Sequence, residues 1–409
     1  MSANHLRIAV RKFGPFEQAI RRQFDEFVRA EQIEATMGFD SLELNDLHPT
    51  IFDRGGMLDG TYDITFMVTD WLAAAVEQGL LADLAPLMKA DPLPDYPAAW
   101  SRSLTSMPQI DGRLYGLPYH DGPEALIYRS DLIASPPKTW DEFLATMQRV
   151  ANPTRGLWGT VVAAYPDGHN TVYDFSLHLW TRGGELLDPA GNPSLDTPEA
   201  RQALDFYRRL VRNPATVPNA RAIHSVPAGE RFMQGEVAMM INWFGFAAMC
   251  QTLNESRVRG KVGIAPIPAG APPRGASASL NVYWMLSIAA GSKNKPLAWR
   301  FLKHCASAEM DKLLTLAGAV GCRLSTWNDP QVNAAIPFFK QLPALHENAR
   351  SFPLDRRFPG LGQAIERGVL RAIDTDDPVE SITRDMQSDA MNAWAGTPRK
   401  GHSNGGSVA

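Results

Sequence analysis

Apolar residues recur along this chain in two rhythms, one of period two or unbroken, one of period 3.6. Leu6–Val10 is a short apolar run interrupted only by Arg7 and reads as a first strand. Behind it, Ala19, Ile20, Phe24, Phe27 and Val28 fall at helical spacing, predicting an amphipathic helix over Glu17–Ala30. Tyr62–Val68 is β-branched and aromatic and predicts a buried strand, with a helix through Leu80 after it. Asp70 and Trp71 stand at the carboxyl end of that strand, where open α/β sheets gather their ligands. Further strands are predicted at Val237–Ile241, Gly263–Pro266 and Val282–Ile288. Helices dominate residues 197–248, 296–318 and 331–394.

Punctuation supports these elements. Pro-rich loops lie at Asp91–Pro97, Ser135–Pro137, Pro266–Pro273 and Ser351–Pro359. Thr139 and Glu142 fit a capping box. Thr197-Pro198-Glu199 opens a helix to about Val211, and Asp377-Pro378 with Glu380 predicts a helix capped by Asp377. The Gly/Ser-rich tail, residues 396–409, is expected to be disordered. Strands and helices alternate irregularly and without repeats, which suits two α/β lobes better than a barrel.

One segment breaks the pattern. Tyr115–Leu132 is extended and apolar, yet carries Tyr119-His120-Asp121-Gly122-Pro123 in its middle. A buried strand rarely holds such a group, because Gly and Pro weaken a ladder and a carboxylate resists burial. The chain is therefore predicted to cross there from one lobe to another, past an open polar place of the kind that takes small molecules.

With 409 residues, two or three domains are expected. Apolar content of 44% and charged content of 21% are those of a soluble globular protein. A net charge of −4 argues against nucleic-acid binding by a basic surface. No apolar run is long enough to span a bilayer. Cys250, Cys305 and Cys322 are widely spaced and are expected to be buried free thiols; no metal or cofactor is implied. Met1–Val10 has no secretory apolar segment, which suits either a cytoplasmic protein or a mature domain freed of its leader. The dinucleotide, phosphate-loop, HExxH and GxSxG patterns are absent, and Gly360-Leu-Gly362 lacks a third glycine.

Several blocks, in order, resemble family 1 of the extracellular solute-binding proteins, which includes the maltose-binding proteins. They are Asp59-Gly-Thr-Tyr-Asp63 running on to Gly79-Leu-Leu-Ala-Asp-Leu84; Tyr115-Gly-Leu-Pro118 with Leu126-Ile-Tyr128-Arg-Ser-Asp131-Leu132 and Pro137-Lys-Thr-Trp140; Gly183-Gly184; Phe232-Met-Gln-Gly235-Glu-Val-Ala238-Met239; and Gly318-Ala-Val-Gly-Cys-Arg323-Leu-Ser325. The chain departs from the family pattern at Gly321 and at Thr61-Tyr62, where proline is usual.

The resemblance implies a two-lobed periplasmic-binding-protein fold, each lobe a mixed sheet flanked by helices. Lobe 1 would be residues 1–118 and 284–327, lobe 2 residues 122–279 and 328–395, with hinges at 119–121 and 280–283. It implies a monomeric, non-enzymatic, extracytoplasmic subunit of an ABC importer. Such a protein captures a small sugar or polyol by hinge closure and delivers it to the membrane permease.

Carboxylates and amides take a sugar's hydroxyls, and flat aromatics cover its C–H faces. By the resemblance, Asp70 and Trp71 occupy the place of a hydroxyl-binding carboxylate, against a competing role for Asp70 as a helix N-cap. Trp243 or Phe244 stands where the family stacks an aromatic, and Tyr173 near another such place. Tyr119, His120 and Asp121 in the first crossing and Asn281 and Tyr283 in the second are candidates, against a purely structural hinge network. Lys12, Phe13 and Arg323 complete the set. Lys12, His120 and Arg323 together leave open an anionic ligand, such as an acidic or sulfonated sugar or a phosphodiester. A carbohydrate-active enzyme is the third reading, although no carboxylate pair is singled out by spacing.

Overall fold

The computed structural model describes residues 4–396; the predicted tail lies, from residue 397 on, outside the described residues. Two sheets carry the architecture. The first orders its strands Ala35–Leu42, Asn4–Arg11, Ile64–Val68, Trp284–Ile288 and Leu117–His120. Asn4–Arg11 is parallel to both its neighbours, while Trp284–Ile288 runs antiparallel to the strands on either side. The second sheet orders Val262–Ala265, Glu124–Arg129, Val237–Trp243 and Trp158–Thr160.

The chain passes between the sheets over Asp121-Gly122-Pro123 and returns over Asn281–Tyr283. Tyr119 and His120, expected in the hinge, still belong to a strand of the first sheet, so the first crossing begins at Asp121. A third passage follows. Ala349–Arg350 pairs in parallel with Ser279–Leu280, and helices Phe358–Asp374 and Val379–Ala395 then pack on Asn170–Trp180 and Pro198–Val211 of the second lobe. Residues 330–335 do not join them: helix Pro330–Ala335 packs on Ala308–Leu316, and Asp329 pairs with Lys312 of that helix at 2.9 Å.

The first helix, Gly14–Glu31, explains how one lobe edge is held. Ala19, Ile20, Phe24 and Phe27 are buried on one face, with both phenylalanines against Phe301 at 5.4 Å between ring centroids. Each such ring contributes about 2 kcal/mol of apolar burial, and Phe27→Ala would cost about 3–5 kcal/mol. Pro15 sets the start of the helix, and Phe13 before it is extended, leaving its ring free to face the cleft between lobes.

Local signals read from sequence hold at two helix starts. Thr139 Oγ1 accepts from the Glu142 N–H at 3.2 Å, and Thr197 Oγ1 from the Ala200 N–H at 3.1 Å. The Asp377 cap does not form. That helix starts at Val379 behind Pro378, and Asp377 instead accepts from Arg371 Nε at 2.6 Å. Strand Ala35–Leu42 and helix Leu44–Phe52 carry no clear signal. The strand is an edge strand whose residues are all half-buried or exposed, so no apolar alternation marks it. All three cysteines are free and buried, and burial pushes their thiols up. Among the described residues, no helix is long and apolar enough to cross a membrane.

Candidate functional site

Strand Asn4–Arg11 ends at the cleft, and its last side chain, Arg11, is buried there. Its Nη1 donates to Lys12 O at 2.8 Å and to Glu43 Oε2 at 2.7 Å. Burial lowers the Arg11 pKa against the pull of Glu43, and the pair as a whole is neutral. Lys12, just past the end of the strand, is exposed and reaches the same carboxylate, its Nζ 3.3 Å from Glu43 Oε1.

The first crossing supplies the floor. Gly122 has φ +141°, and a Cβ there would meet the Gly245 nitrogen at 3.3 Å, so only glycine fits between the strand and helix Phe244–Thr252. His120 Nδ1 accepts the Val320 N–H at 3.0 Å, which places the ring proton on Nε2. Burial pulls His120 down to about 4, so the ring is a neutral N–H donor at neutral pH. Asp121 Oδ2 accepts from His346 Nε2 at 2.7 Å, while Asp121 Oδ1 is buried with no partner. His346 Nδ1 lies 3.0 Å from Ser103 Oγ, and the ring stacks on Trp327 at 5.0 Å. Burial pulls His346 down, but the Asp121 charge and its hydrogen bond outweigh it and raise the pKa.

The second lobe faces this floor with helix Asn170–Trp180 and the end of strand Val237–Trp243. Asp167 Oδ1 accepts the His169 N–H at 3.0 Å and Oδ2 the Asn170 side chain at 3.0 Å, fixing the turn before the helix. His169 Nδ1 lies 2.7 Å from Asp167 O, and His169 Nε2 is buried without a partner. Tyr173 donates its hydroxyl across the cleft to Asp70 Oδ2 at 2.6 Å, leaving Asp70 Oδ1 buried and unpartnered. Trp243 meets Tyr173 edge-on at 5.6 Å, and Phe13 meets Phe246 of the second lobe at 5.7 Å. Opposite Trp243 on the neighbouring strand, burial holds the Glu124 carboxyl well above its ordinary range.

These groups line a cavity of about 80 Å³, which holds on the order of five waters or one small solute. Its polar lining is Arg11, His120, Asp121, His169, Asn170, Tyr173 and Ser225; its rings are Phe13, Phe16, Trp243, Phe246 and Trp284.

Among the sequence candidates, Phe13, His120, Asp121, Tyr173 and Trp243 meet around this cavity. The others are placed elsewhere. Asp70 makes no cap bond and stands behind Tyr173; Trp71 lies edge-on to His169 at 5.4 Å. Tyr119 points into the first lobe, donating to Gln23 Oε1 at 2.8 Å. Phe244 follows Trp243 by one residue but begins a helix, and so packs wholly buried against Phe338 and Phe339. Asn281 is buried with both amide atoms unpartnered, and Tyr283 donates to Leu104 O; neither lines the cavity. Arg323 pairs with Asp95, donates to Ala306 O at 2.7 Å and lies over Trp100 at 4.4 Å, away from the cavity.

Arg11, His169, Asn170, Phe246 and Trp284 were not anticipated. The strand-end rule that picks out Asp70 also reaches Arg11. His169 and Asn170 stand at the cap and first position of a helix whose sequence gives no direction to their side chains.

The sequence pattern of the bacterial extracellular solute-binding protein family matches residues 46–312. A binding protein of Brucella abortus (strain 2308) is 28% identical over 302 residues, covering 71% of this chain and 68% of the relative. An ABC transporter solute-binding protein of Agrobacterium radiobacter K84, solved in complex with ribitol, superposes with a TM-score of 0.86 at 24% identity, over 95% of this chain and 98% of that one. Maltose-bound MalE3 of T. maritima superposes with a TM-score of 0.84 at 23% identity, over 94% and 98%. The fold is thus the two-lobed one of these proteins, and this chain belongs to the bacterial extracellular solute-binding protein family.

Proposed function

We propose that this protein captures a small neutral sugar or polyol between its lobes and hands it to the permease of an ABC importer, acting as a monomer outside the cytoplasmic membrane. The observation that carries this reading is the pairing of an unmet hydrogen-bond acceptor with flat rings around one cavity. His169, which lines it, has its Nε2 buried without a partner, and that nitrogen asks for a donor of the kind that hydroxyls supply. His120 offers a neutral N–H in return, and Trp243, Tyr173 and Phe13 offer faces and edges to C–H groups. The ribitol-bound and maltose-bound structures of the same fold agree with this chemistry.

Closure follows from where the groups sit. Arg11, Phe13 and His120 come from the first lobe, His169, Tyr173 and Trp243 from the second, and Asp121 from the crossing itself. A ligand touching all of them stabilises only the closed arrangement, because the open one separates the two halves of the contact set. We read the role as binding, in keeping with the solute-binding family to which the chain belongs.

The anionic reading finds little support at this cavity. Lys12 and Arg323 are turned away, His120 is neutral, and Arg11 is already paired with Glu43. A thermal-shift screen over sugars and polyols, followed by calorimetry, tests the proposal. Ligand at 100 times its Kd should add about 2.7 kcal/mol of stability. Stabilisation by a sulfonated or phosphorylated compound and by no neutral carbohydrate would favour the anionic reading instead.

A further inference from the structure

His169 stands one residue before helix Asn170–Trp180 and lines the cavity. Its Nδ1 lies 2.7 Å from the carbonyl oxygen of Asp167. A carbonyl can only accept, so Nδ1 carries the proton and, in the neutral ring, Nε2 is bare. That nitrogen is buried and has no partner. Its neighbour at 3.9 Å, Asp70 Oδ2, is another acceptor and already takes the Tyr173 hydroxyl at 2.6 Å. A donor for Nε2 has therefore to enter from the cavity.

The tautomer depends on where Asp167 O is held, and two carboxylates hold it. Asp167 braces its own turn: Oδ1 accepts the His169 N–H at 3.0 Å and the Asn170 N–H at 3.3 Å, and Oδ2 the Asn170 side chain at 3.0 Å. Glu366 braces the turn from outside, from a helix that arrives 198 residues later in the chain. Its Oε1 accepts the Gly168 N–H at 2.8 Å and the Thr171 hydroxyl at 3.5 Å. Gly168 has φ +75°, a left-handed conformation that glycine adopts without strain. Helix packing sets the reach of Glu366. Gly362 of Phe358–Asp374 lies against Val172, where a Cβ would be 3.9 Å from the valine methyl, and Glu366, four residues on, meets Gly168, four residues back. A carboxylate at the amino end of helix Asn170–Trp180 is also favoured by the helix dipole. Glu366 itself does not line the cavity.

We infer that Glu366 is a positioning residue for ligand recognition: through the Gly168 N–H it fixes the turn that keeps His169 in its Nδ1–H form, so that the ligand must present a hydrogen-bond donor to His169 Nε2. The group there is a hydroxyl of the sugar or polyol; an ether or carboxylate oxygen has no proton to give. The donor requirement rests on the carbohydrate reading of the cavity, whereas the positioning of His169 does not.

The test joins nitrogen NMR of histidine-labelled protein above neutral pH with calorimetry against ribitol, D-mannitol and maltose. His169→Gln assigns the His169 signals by their loss. Ligand-free wild type should show the Nδ1–H form alone, and its Nε2 resonance should move when ligand saturates the protein. Glu366→Ala should mix the two tautomers and weaken binding at least tenfold, with thermal melts confirming that it is folded. Glu366→Gln keeps an acceptor oxygen; it should restore the Nδ1–H form and bring affinity to within about threefold of wild type. Glu366→Asp, one methylene shorter, should behave as the alanine variant does and replaces it if that variant does not fold. Arg367→Ala, next along the helix and paired with Asp389 on the surface, should change neither readout. An Nε2–H form in wild type overturns the inference. So does an alanine or aspartate variant that keeps either the pure Nδ1–H form or wild-type affinity. An Nε2 resonance unmoved by bound ligand overturns the donor requirement. If the tautomers behave as expected and wild type binds neither these three nor any other carbohydrate or polyol, the carbohydrate reading falls and the positioning of His169 stands.

Discussion

The two crossings between the lobes have the same sequence character, a polar residue in an apolar extended run, and the structure gives them different work. At the first, Asp121 lines the cavity, while its fully buried carboxylate holds His346 by one oxygen and leaves the other unpartnered. At the second, Asn281 is buried away from the cavity and only Val282 and Trp284 reach the lining. Both crossings are anchored by backbone bonds: Asp121 N–H to Val320 O at 2.9 Å, and Asn281 N–H to Arg350 O at 2.7 Å. A crossing thus needs a tether in either case, but a ligand contact only where its side chain is directed at the cleft. Direction is set by the neighbouring strand: Leu117–His120 ends beside the cavity, whereas Asn281 follows a short strand pairing with Ala349–Arg350.

The sharpest way to break this contrast is Asp121→Asn. The amide keeps the size of the carboxylate but removes its charge and one acceptor oxygen. We expect ligand affinity to fall about 100-fold, or about 2.7 kcal/mol. His346, left with burial as its main influence, should titrate below its ordinary value of 6.5, which an NMR titration reads directly. Wild-type affinity in this variant would make the first crossing a structural joint like the second. Trp243→Ala comes next. Trp243 faces Glu124, the first strand residue after the crossing, and contributes its ring to the cavity. Calorimetry should show binding weakened by more than about tenfold, roughly 1.4 kcal/mol, with folding retained.

Much of the fold was legible because its cues are local. The helix at Gly14–Glu31 and the strand at Ile64–Val68 announce themselves by apolar spacing, and the caps at Thr139 and Thr197 by residue type. The site was legible only where a side chain's direction follows from a strand or a crossing. A one-residue step separates Arg11 from Lys12 and Trp243 from Phe244, and in each pair one member faces the cavity and the other does not. Sequence patterning names such a neighbourhood without choosing the member. His346 was beyond reach altogether. It lies 225 residues from Asp121 in the chain, and nothing local marks a histidine in that short helix as the partner of a hinge carboxylate.

Acidity offers a gentler contrast between the crossings. His346 has a raised pKa in the folded protein, so the stability it lends is fully present below its unfolded value of about 6.5. That contribution is lost as pH rises through the raised folded value. Ser103 and Trp327 at this joint do not titrate in that window, and neither do the other groups that feel Asp121: burial holds His120 at about 4 and pushes Cys322 and Tyr283 up. Hydrogen exchange at the Asp121 amide, corrected for its intrinsic pH dependence, should therefore quicken several-fold above neutral pH. Exchange at the Asn281 amide should not. His346→Gln should flatten the difference, and equal pH dependence at both amides would show that the pair does not tighten the first crossing.

The smallest effect belongs to Asn281. Its amide nitrogen and oxygen are both buried without partners, and an unmet buried amide costs about 1–3 kcal/mol. Asn281→Ala removes that cost, while the space it leaves takes back a similar amount. The backbone tether from its N–H to Arg350 O is untouched, as is the bond from Ser351 Oγ to Asn281 O at 3.2 Å. Stability by chemical denaturation should stay within about 1 kcal/mol of wild type, and ligand affinity within about threefold, because neither term depends on a contact with the cavity. A loss of affinity near that of Asp121→Asn would mean that the second crossing senses ligand as well. The two joints would then be equivalent in function despite the opposite placement of their side chains.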